Sequence, residues 1–166
     1  FTGGTGRSGT TIIVNLLTRH PKFHASLPRE IKYLTDRKGL IDFNFRRPLS
    51  EERSLKELRN SISARLMPIM GTSKYDLFST RIHGRWWSEI GKKGNQRGLI
   101  QGISKDILEK ALKSFESTYK NDPKKAARDF FYSLSRAQIS STEIEYFGDS
   151  TPTNIINAKY IFKIFP

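Results

Sequence analysis

Nine residues near the start of the chain, Gly3-Gly4-Thr5-Gly6-Arg7-Ser8-Gly9-Thr10-Thr11, have the types and spacing of an anion site. Glycines allow a tight turn that aims successive backbone N–H groups at one point, and a helix that follows adds its positive end. A group of phosphate size is the natural occupant, with the hydroxyls of Ser8, Thr10 and Thr11 as further donors. The alternative is a plain glycine-rich turn from strand to helix. A nucleotide-hydrolysing loop reads Gly-x-x-x-x-Gly-Lys-Ser/Thr. Gly4 and Gly9 have that spacing, but Thr10 stands where the lysine would reach the β- and γ-phosphates. Arg7 is the only cation in the loop. This departure argues against hydrolysis of ATP or GTP.

Such a loop needs a strand ahead of it and a helix behind. Phe1 to Gly3 reads as the end of a strand. Thr10 to Arg19 reads as a helix with Ile12, Ile13, Leu16 and Leu17 on one inward face, ended by His20-Pro21. Phe23 to Leu27 reads as a short extended piece. Ser50-Glu51-Glu52 puts an N-cap hydroxyl and acids at a helix start, and Leu55, Leu58, Ile62 and Leu66 continue it as an apolar stripe up to Pro68. Residues 71–102 are rich in glycine and basic side chains and read as loop, with a turn at Gly91-Lys92-Lys93-Gly94-Asn95. A helix from Ser104 to about Lys120 turns Ile107, Leu108, Ala111, Leu112 and Phe115 inward. Asp122-Pro123 opens the next, with Ala127, Phe130, Phe131 and Leu134 inward. Glu143 to Gly148 alternates like a strand, and a last helix runs from Thr151-Pro152 to about Ile164. This order predicts an α/β fold with a parallel sheet.

The 166 residues fit one domain. A net charge of +13 draws anions, whether nucleic acid, phosphorylated cofactors or acidic polymers, although a merely solvated basic surface gives the same number. The lack of cysteine excludes disulfides and thiolate metal sites and favours a reducing, cytoplasmic compartment. His20, His24 and His83 have no ligand-like spacing, so no metal is expected. No uninterrupted apolar run is long enough to span a membrane. Phe1-Thr2-Gly3 reads as the middle of a strand, so further residues upstream are expected and targeting is not legible.

A basic residue followed by Ser-Gly-Thr-Thr after a strand resembles the 5′-phosphosulfate loop of the sulfotransferases, whose donor is 3′-phosphoadenosine 5′-phosphosulfate (PAPS). Arg7-Ser8-Gly9-Thr10-Thr11 is most similar to the version in the tyrosylprotein sulfotransferases and bacterial relatives, and the helix ending in His20-Pro21 extends the likeness. The resemblance implies a P-loop-type three-layer fold, a parallel sheet flanked by helices. Residues 1–166 would form a partial domain of it, with region 35–142 a mostly helical and loop insertion between the PAPS loop and the next core strand. It also implies that Gly6, Arg7, Ser8, Gly9, Thr10 and Thr11 hold the donor's 5′-phosphate. Arg7 would neutralise charge on the bridging oxygen as the sulfuryl group leaves. No metal is needed. The family's 3′-phosphate site lies on a strand and helix that would follow Pro166, so a truncated domain, weakly active or inactive alone, is expected.

Transfer to a hydroxyl or amine needs a base. Small-molecule members of the family use a histidine after a later strand, and the corresponding stretch, Tyr146 to Pro152, has none. Pro28-Arg29-Glu30-Ile31-Lys32-Tyr33-Leu34 resembles instead the Lys-Glu-x-x-Phe-Phe stretch of the heparan-type enzymes. That likeness makes Glu30 the candidate base, with Lys32 near enough to hold it ionised or to contact the sulfuryl group. A surface Glu-Lys pair is the plain alternative, and Asp36, Asp42 and His83 are weaker candidates. Gly148-Asp149-Ser150-Thr151-Pro152 is similar to the family's Gly-Glu-Lys-Thr/Ser-Pro segment, with Ser150 in place of the frequent lysine. Asp149 would face the acceptor or orient its neighbours, and the segment also works as a simple helix start. Arg85-Trp86-Trp87 offers aromatic faces to an acceptor, glycan, peptide or small molecule, or else belongs to the core. Two other functions compete. A divergent P-loop kinase lacks its lysine here, and a basic nucleic-acid-binding module lacks any recognised signature.

Overall fold

A computed structural model of the chain describes residues 1–5, 9–48, 55–66, 71–91 and 94–166. In chain order these form helix α1 (Thr10–Leu17), strand β1 (Phe23–Ala25) and helices α2 (Lys32–Thr35), α3 (Leu40–Asn44), α4 (Leu55–Leu66) and α5 (Lys74–His83). Strands β2 (Glu89–Ile90) and β3 (Gln96–Arg97), helices α6 (Lys105–Thr118) and α7 (Pro123–Arg136), strand β4 (Tyr146–Gly148) and helix α8 (Asn154–Ile164) complete the order. The fold is mixed, with a small parallel two-stranded sheet flanked by helices.

The core is built on α6 and α7. Ser104 caps the first, its Oγ accepting the Ile107 N–H at 3.4 Å. Asp122 caps the second, Oδ1 accepting from the Lys125 N–H at 2.9 Å, with Pro123 at the first helical position. The turn at 119–122 brings their apolar faces together. Leu108, Leu112 and Phe115 are buried against Ala127, Phe130 and Leu134, as their spacing predicts. Phe43 of α3 and Phe78 of α5 complete an aromatic knot: Phe43 meets Phe115 edge-on at 4.9 Å between ring centres, and Phe78 lies 5.3 Å from Phe115. Such pairs each add about 0.5–1.5 kcal/mol beyond the area they bury.

β1 and β4 pair in parallel, Phe23 opposite Tyr146, His24 opposite Phe147 and Ala25 opposite Gly148. Phe147 packs edge-on against Phe131, which fixes the sheet to α7. The expected strand at Phe1 to Gly3 is absent. Residues 2–4 instead run beside the chain leaving β4, the Thr2 N–H bonding to the Asp149 carbonyl at 2.9 Å and the Gly4 N–H to that of Pro152 at 3.1 Å. The Thr151 N–H, which would return a parallel ladder bond to the Thr2 carbonyl, donates instead to Asp149 Oδ1 at 3.1 Å, and the Thr2 carbonyl accepts from the Asn154 amide. Gly3 lies so close to the start of α8 that a Cβ would meet the backbone of Asn154 and Ile155. β4 is likewise shorter than the expected Glu143–Gly148, its first residues being taken up in a turn.

Three further expectations change. α1 stops at Leu17, where i→i−3 bonds from Arg19 and His20 tighten the chain ahead of Pro21. Its buried residues are Thr10 and Val14, while Ile12, Ile13, Leu16 and Leu17 are 42–65% exposed. α4 behaves similarly, with Leu55 85% exposed and Ser61 buried. A 3.6-residue period signals a helix, but it does not say what covers the stripe. Residues 71–102, expected as loop, contain α5, the antiparallel hairpin β2–β3 and a 3-10 turn at Leu99–Gln101. The Ser50-Glu51-Glu52 start, the Pro68 stop and Lys92-Lys93 lie outside the described residues.

α5 begins with a capping box. Ser73 Oγ accepts the Asp76 N–H at 3.0 Å, and Asp76 Oδ2 accepts the Ser73 N–H at 3.1 Å. Ser73→Ala is expected to cost about 1 kcal/mol, read as a lower urea midpoint at unchanged slope.

Among the described residues no helix is long and apolar enough to cross a membrane, and no cluster of three His, Cys, Asp or Glu side chains could hold a metal.

Candidate functional site

Gly9 is the N-cap of α1 in the left-handed conformation, φ 83° and ψ 9°. Any other residue is strained there. The Ile13 N–H closes the first helical bond onto the Gly9 carbonyl at 3.0 Å. The N–H groups of a helix's first turn have no intrahelical partner. Gly9 carries no side chain that could cap them, and the first turn of α1 has no acidic residue, whereas α5 and α6 each have both. An anion therefore suits this end. Thr10 is buried and Thr11 exposed. Gly6, Arg7 and Ser8 lie outside the described residues.

Glu30 stands in the segment that leaves β1, and the chain on both sides of it is clamped by the segment that leaves β4. The Arg29 carbonyl accepts three donors: the Ser150 N–H at 2.9 Å, the Ser150 hydroxyl at 2.9 Å and the Ser26 hydroxyl at 3.2 Å. The Ile31 N–H is shared between Asp149 Oδ1 at 3.0 Å and Thr151 Oγ1 at 2.7 Å. Between these anchors the Glu30 side chain is exposed. Both segments emerge at the carboxyl ends of parallel strands, where open α/β sheets place their ligands.

Asp149 is the node of the clamp, only 1% exposed. Besides Ile31 it accepts from the Thr151 hydroxyl at 2.6 Å, the Thr151 N–H at 3.1 Å and the Asn154 amide at 2.7 Å. Its own carbonyl takes the Thr2 N–H and hydroxyl, and the Asn154 amide also donates to the Thr2 carbonyl at 2.8 Å. The segment entering the glycine loop and the segment bearing Glu30 thus share one anchor. Burial pushes the Asp149 carboxyl up from its usual range against the pull of the Asn154, Thr151 and Ile31 donors.

Beside Glu30 opens a cleft of about 350 Å³ lined also by Lys32, Arg85, Trp86, Glu89 and Arg97. Lys32 Nζ lies 3.2 Å from Glu89 Oε2, and an Arg85 guanidinium nitrogen lies 3.7 Å from Oε1. Desolvation would raise the Glu89 pKa, but the Lys32 hydrogen bond and the charges of Lys32, Arg85 and Arg97 outweigh it and hold the carboxyl below the usual range. Trp86 forms a wall of the cleft with its ring almost wholly buried. Its indole N–H donates to Asp36 at 3.4 Å, and the Arg81 guanidinium lies 5.9 Å from the ring centre. Burial raises the Asp36 pKa, opposed by that indole bond and by the cations Arg85, Lys32 and Arg81.

No family model, curated protein or solved structure matches the chain. The functional reading therefore rests on the loop and the cleft.

Of the residues expected on the acceptor side, the fold brings Glu30, Lys32 and Trp86 into one cleft, although 56 positions separate Glu30 from Trp86. Asp149 does not line it and faces the buried junction instead. Lys32 has its ammonium on Glu89 rather than on Glu30. The weaker candidates are engaged elsewhere: Asp42 with Arg47 at 2.8 Å, Asp36 with Trp86, and His83 beside Glu109 at 3.4 Å. Glu89 and Arg97 were not foreseen. Their signal is the turn at 91–95, whose flanks, Glu89-Ile90 and Gln96-Arg97, make it a hairpin.

Proposed function

We propose that this chain is a PAPS-dependent sulfotransferase domain of the P-loop type, a three-layer fold around a parallel sheet, acting on a hydroxyl or amine acceptor. The observation that carries the reading is Arg7-Ser8-Gly9-Thr10-Thr11 without a loop lysine, entering α1 through a left-handed glycine with an uncapped, acid-free first turn. That end of α1 has the donors a phosphate requires. PAPS, when bound, supplies the sulfuryl group and the adenosine bisphosphate that leaves. The N–H groups from Gly6 to Thr11 and the hydroxyls of Ser8, Thr10 and Thr11 bind the 5′-phosphate. Arg7 offsets the negative charge that grows on its bridging oxygen. Glu30, exposed on a clamped backbone, accepts the acceptor's proton. Lys32 and Glu89 neutralise each other beside it and keep the cleft wall ordered.

Calorimetry of the full-length protein with adenosine 3′,5′-bisphosphate against Mg-ATP tests the donor site. The bisphosphate is expected to bind in preference, and Arg7→Ala to weaken it about 10- to 100-fold, the worth of charge-assisted hydrogen bonds. A preference for Mg-ATP would replace the reading with a kinase. Binding of neither, with nucleic-acid affinity falling steeply with salt, would replace it with a basic binding module.

A further inference from the structure

The cleft beside Glu30 holds four cations, Arg29, Lys32, Arg85 and Arg97, against two carboxylates, Glu30 and Glu89. Glu89 already occupies two of the cations, Lys32 at 3.2 Å and Arg85 at 3.7 Å. Arg29 and Arg97 form no ion pair among the described residues. They reach the cleft from different elements, Arg29 from the clamped segment after β1 and Arg97 from β3. The Arg29 carbonyl is fixed by three hydrogen bonds and Arg97 is paired with Glu89 across the hairpin, so both side chains start from anchored backbone. Asn95 lines the same wall with Gln96 and Gln101, whose side-chain amides already donate to Ser88 Oγ at 3.2 Å and to the Gln96 carbonyl at 2.9 Å. Arg97 stands opposite Glu89 across the hairpin and acts on its charge without closing an ion pair, so two guanidiniums keep their forks open toward the cavity, an arrangement that suits an oxyanion.

We propose that this cleft is a binding site for an oxyanion group, a carboxylate or a phosphate, held by Arg29 and Arg97. On the sulfotransferase reading above, this oxyanion site lies beside Glu30 in the same cleft. The local field agrees with such a ligand, since Lys32, Arg85 and Arg97 together lower the Glu89 pKa against its desolvation.

The chain has two tryptophans, Trp86 in the cleft wall and Trp87 next to it, so intrinsic fluorescence reads this site directly. Titration at low salt uses glutarate, inorganic phosphate and uncharged glutaramide. A saturable change with at least one anion and none with glutaramide is expected, and the tighter anion names the group. Arg97→Ala, at an exposed position, should weaken that binding about tenfold or more, and Arg97→Lys should restore only part of it because the fork is lost. Three results would each overturn the proposal: no saturable change with either anion, a change that Arg97→Ala leaves intact, or a change that Arg7→Ala abolishes, which would put the anion in the glycine loop. Failure of bisphosphate binding in the calorimetric test would remove the sulfotransferase reading while leaving this oxyanion site standing.

Discussion

Asp149→Ala is expected to lower the stability of the folded chain by about 3 kcal/mol or more, seen as a large drop in urea midpoint. The carboxylate accepts from Ile31, Thr151 and Asn154 at a fully buried position. Removing it strands several donors away from water, and each unsatisfied buried donor costs about 1–3 kcal/mol. The sign of the pH dependence follows from burial. The folded carboxyl has a raised pKa, so the folded state binds this proton more tightly than the unfolded chain. Stability in the protonated form is therefore present below the unfolded value and is lost as pH rises through the folded one. Asp149→Asn does not titrate and should lack that slope, which parallel urea curves from about pH 4 upward will show. A wild-type slope equal to that of the asparagine variant would contradict the assignment. Asparagine also keeps the shape of the site, and Asn154 Oδ1, without a partner among the described residues, can receive its amide hydrogen only if Asn154 turns over and gives up its bond to the Thr2 carbonyl.

In the full-length protein, Glu30→Gln is expected, on the proposed function, to reduce kcat about 100- to 10,000-fold, the usual contribution of a positioned general base. The side chain is exposed and makes none of the clamp's hydrogen bonds, so the urea midpoint should barely move. Binding of adenosine 3′,5′-bisphosphate should be unchanged and the acceptor KM little affected, because the lost interaction belongs to the transition state. A variant that keeps a tenth or more of the wild-type kcat would sink Glu30 as the base. Asp36 and Asp42 are poor substitutes, the first buried on Trp86 and the second bound to Arg47.

Local chemistry was the legible part of this sequence. α6 and α7 follow from Ser104, from Asp122-Pro123 and from apolar residues at helical spacing, because caps and periodicity act within a few residues of one another. α5 carries an equally local signal, Ser73-Lys74-Tyr75-Asp76 ahead of Leu77, Phe78 and Ile82, hidden in a stretch whose glycine and basic content suggests loop. The exposed stripes of α1 and α4 mark the limit of periodicity, which fixes a helix but not its partner. Within the candidate site, Glu30, Lys32 and Trp86 could be singled out by residue type, but their meeting in one cleft depends on the β2–β3 hairpin. The inward role of Asp149 depends on Ile31 and Thr2, and no local pattern encodes those contacts. The loop residues Gly6, Arg7 and Ser8 are read from sequence alone.

The clamp between Ile31 and Asp149 joins residues 118 positions apart, and the β1–β4 pair closes a loop of similar size. Closing such a loop costs entropy that grows with the logarithm of its length, and nothing repays it until the distant partners meet. The α6–α7 hairpin faces no such delay, being closed by a turn of a few residues around its own aromatic core. Loop closure therefore predicts that the helical centre assembles early and that Glu30 is positioned when the segments after β1 and β4 meet. Glu30 is thereby expected to owe its placement to contacts that form late.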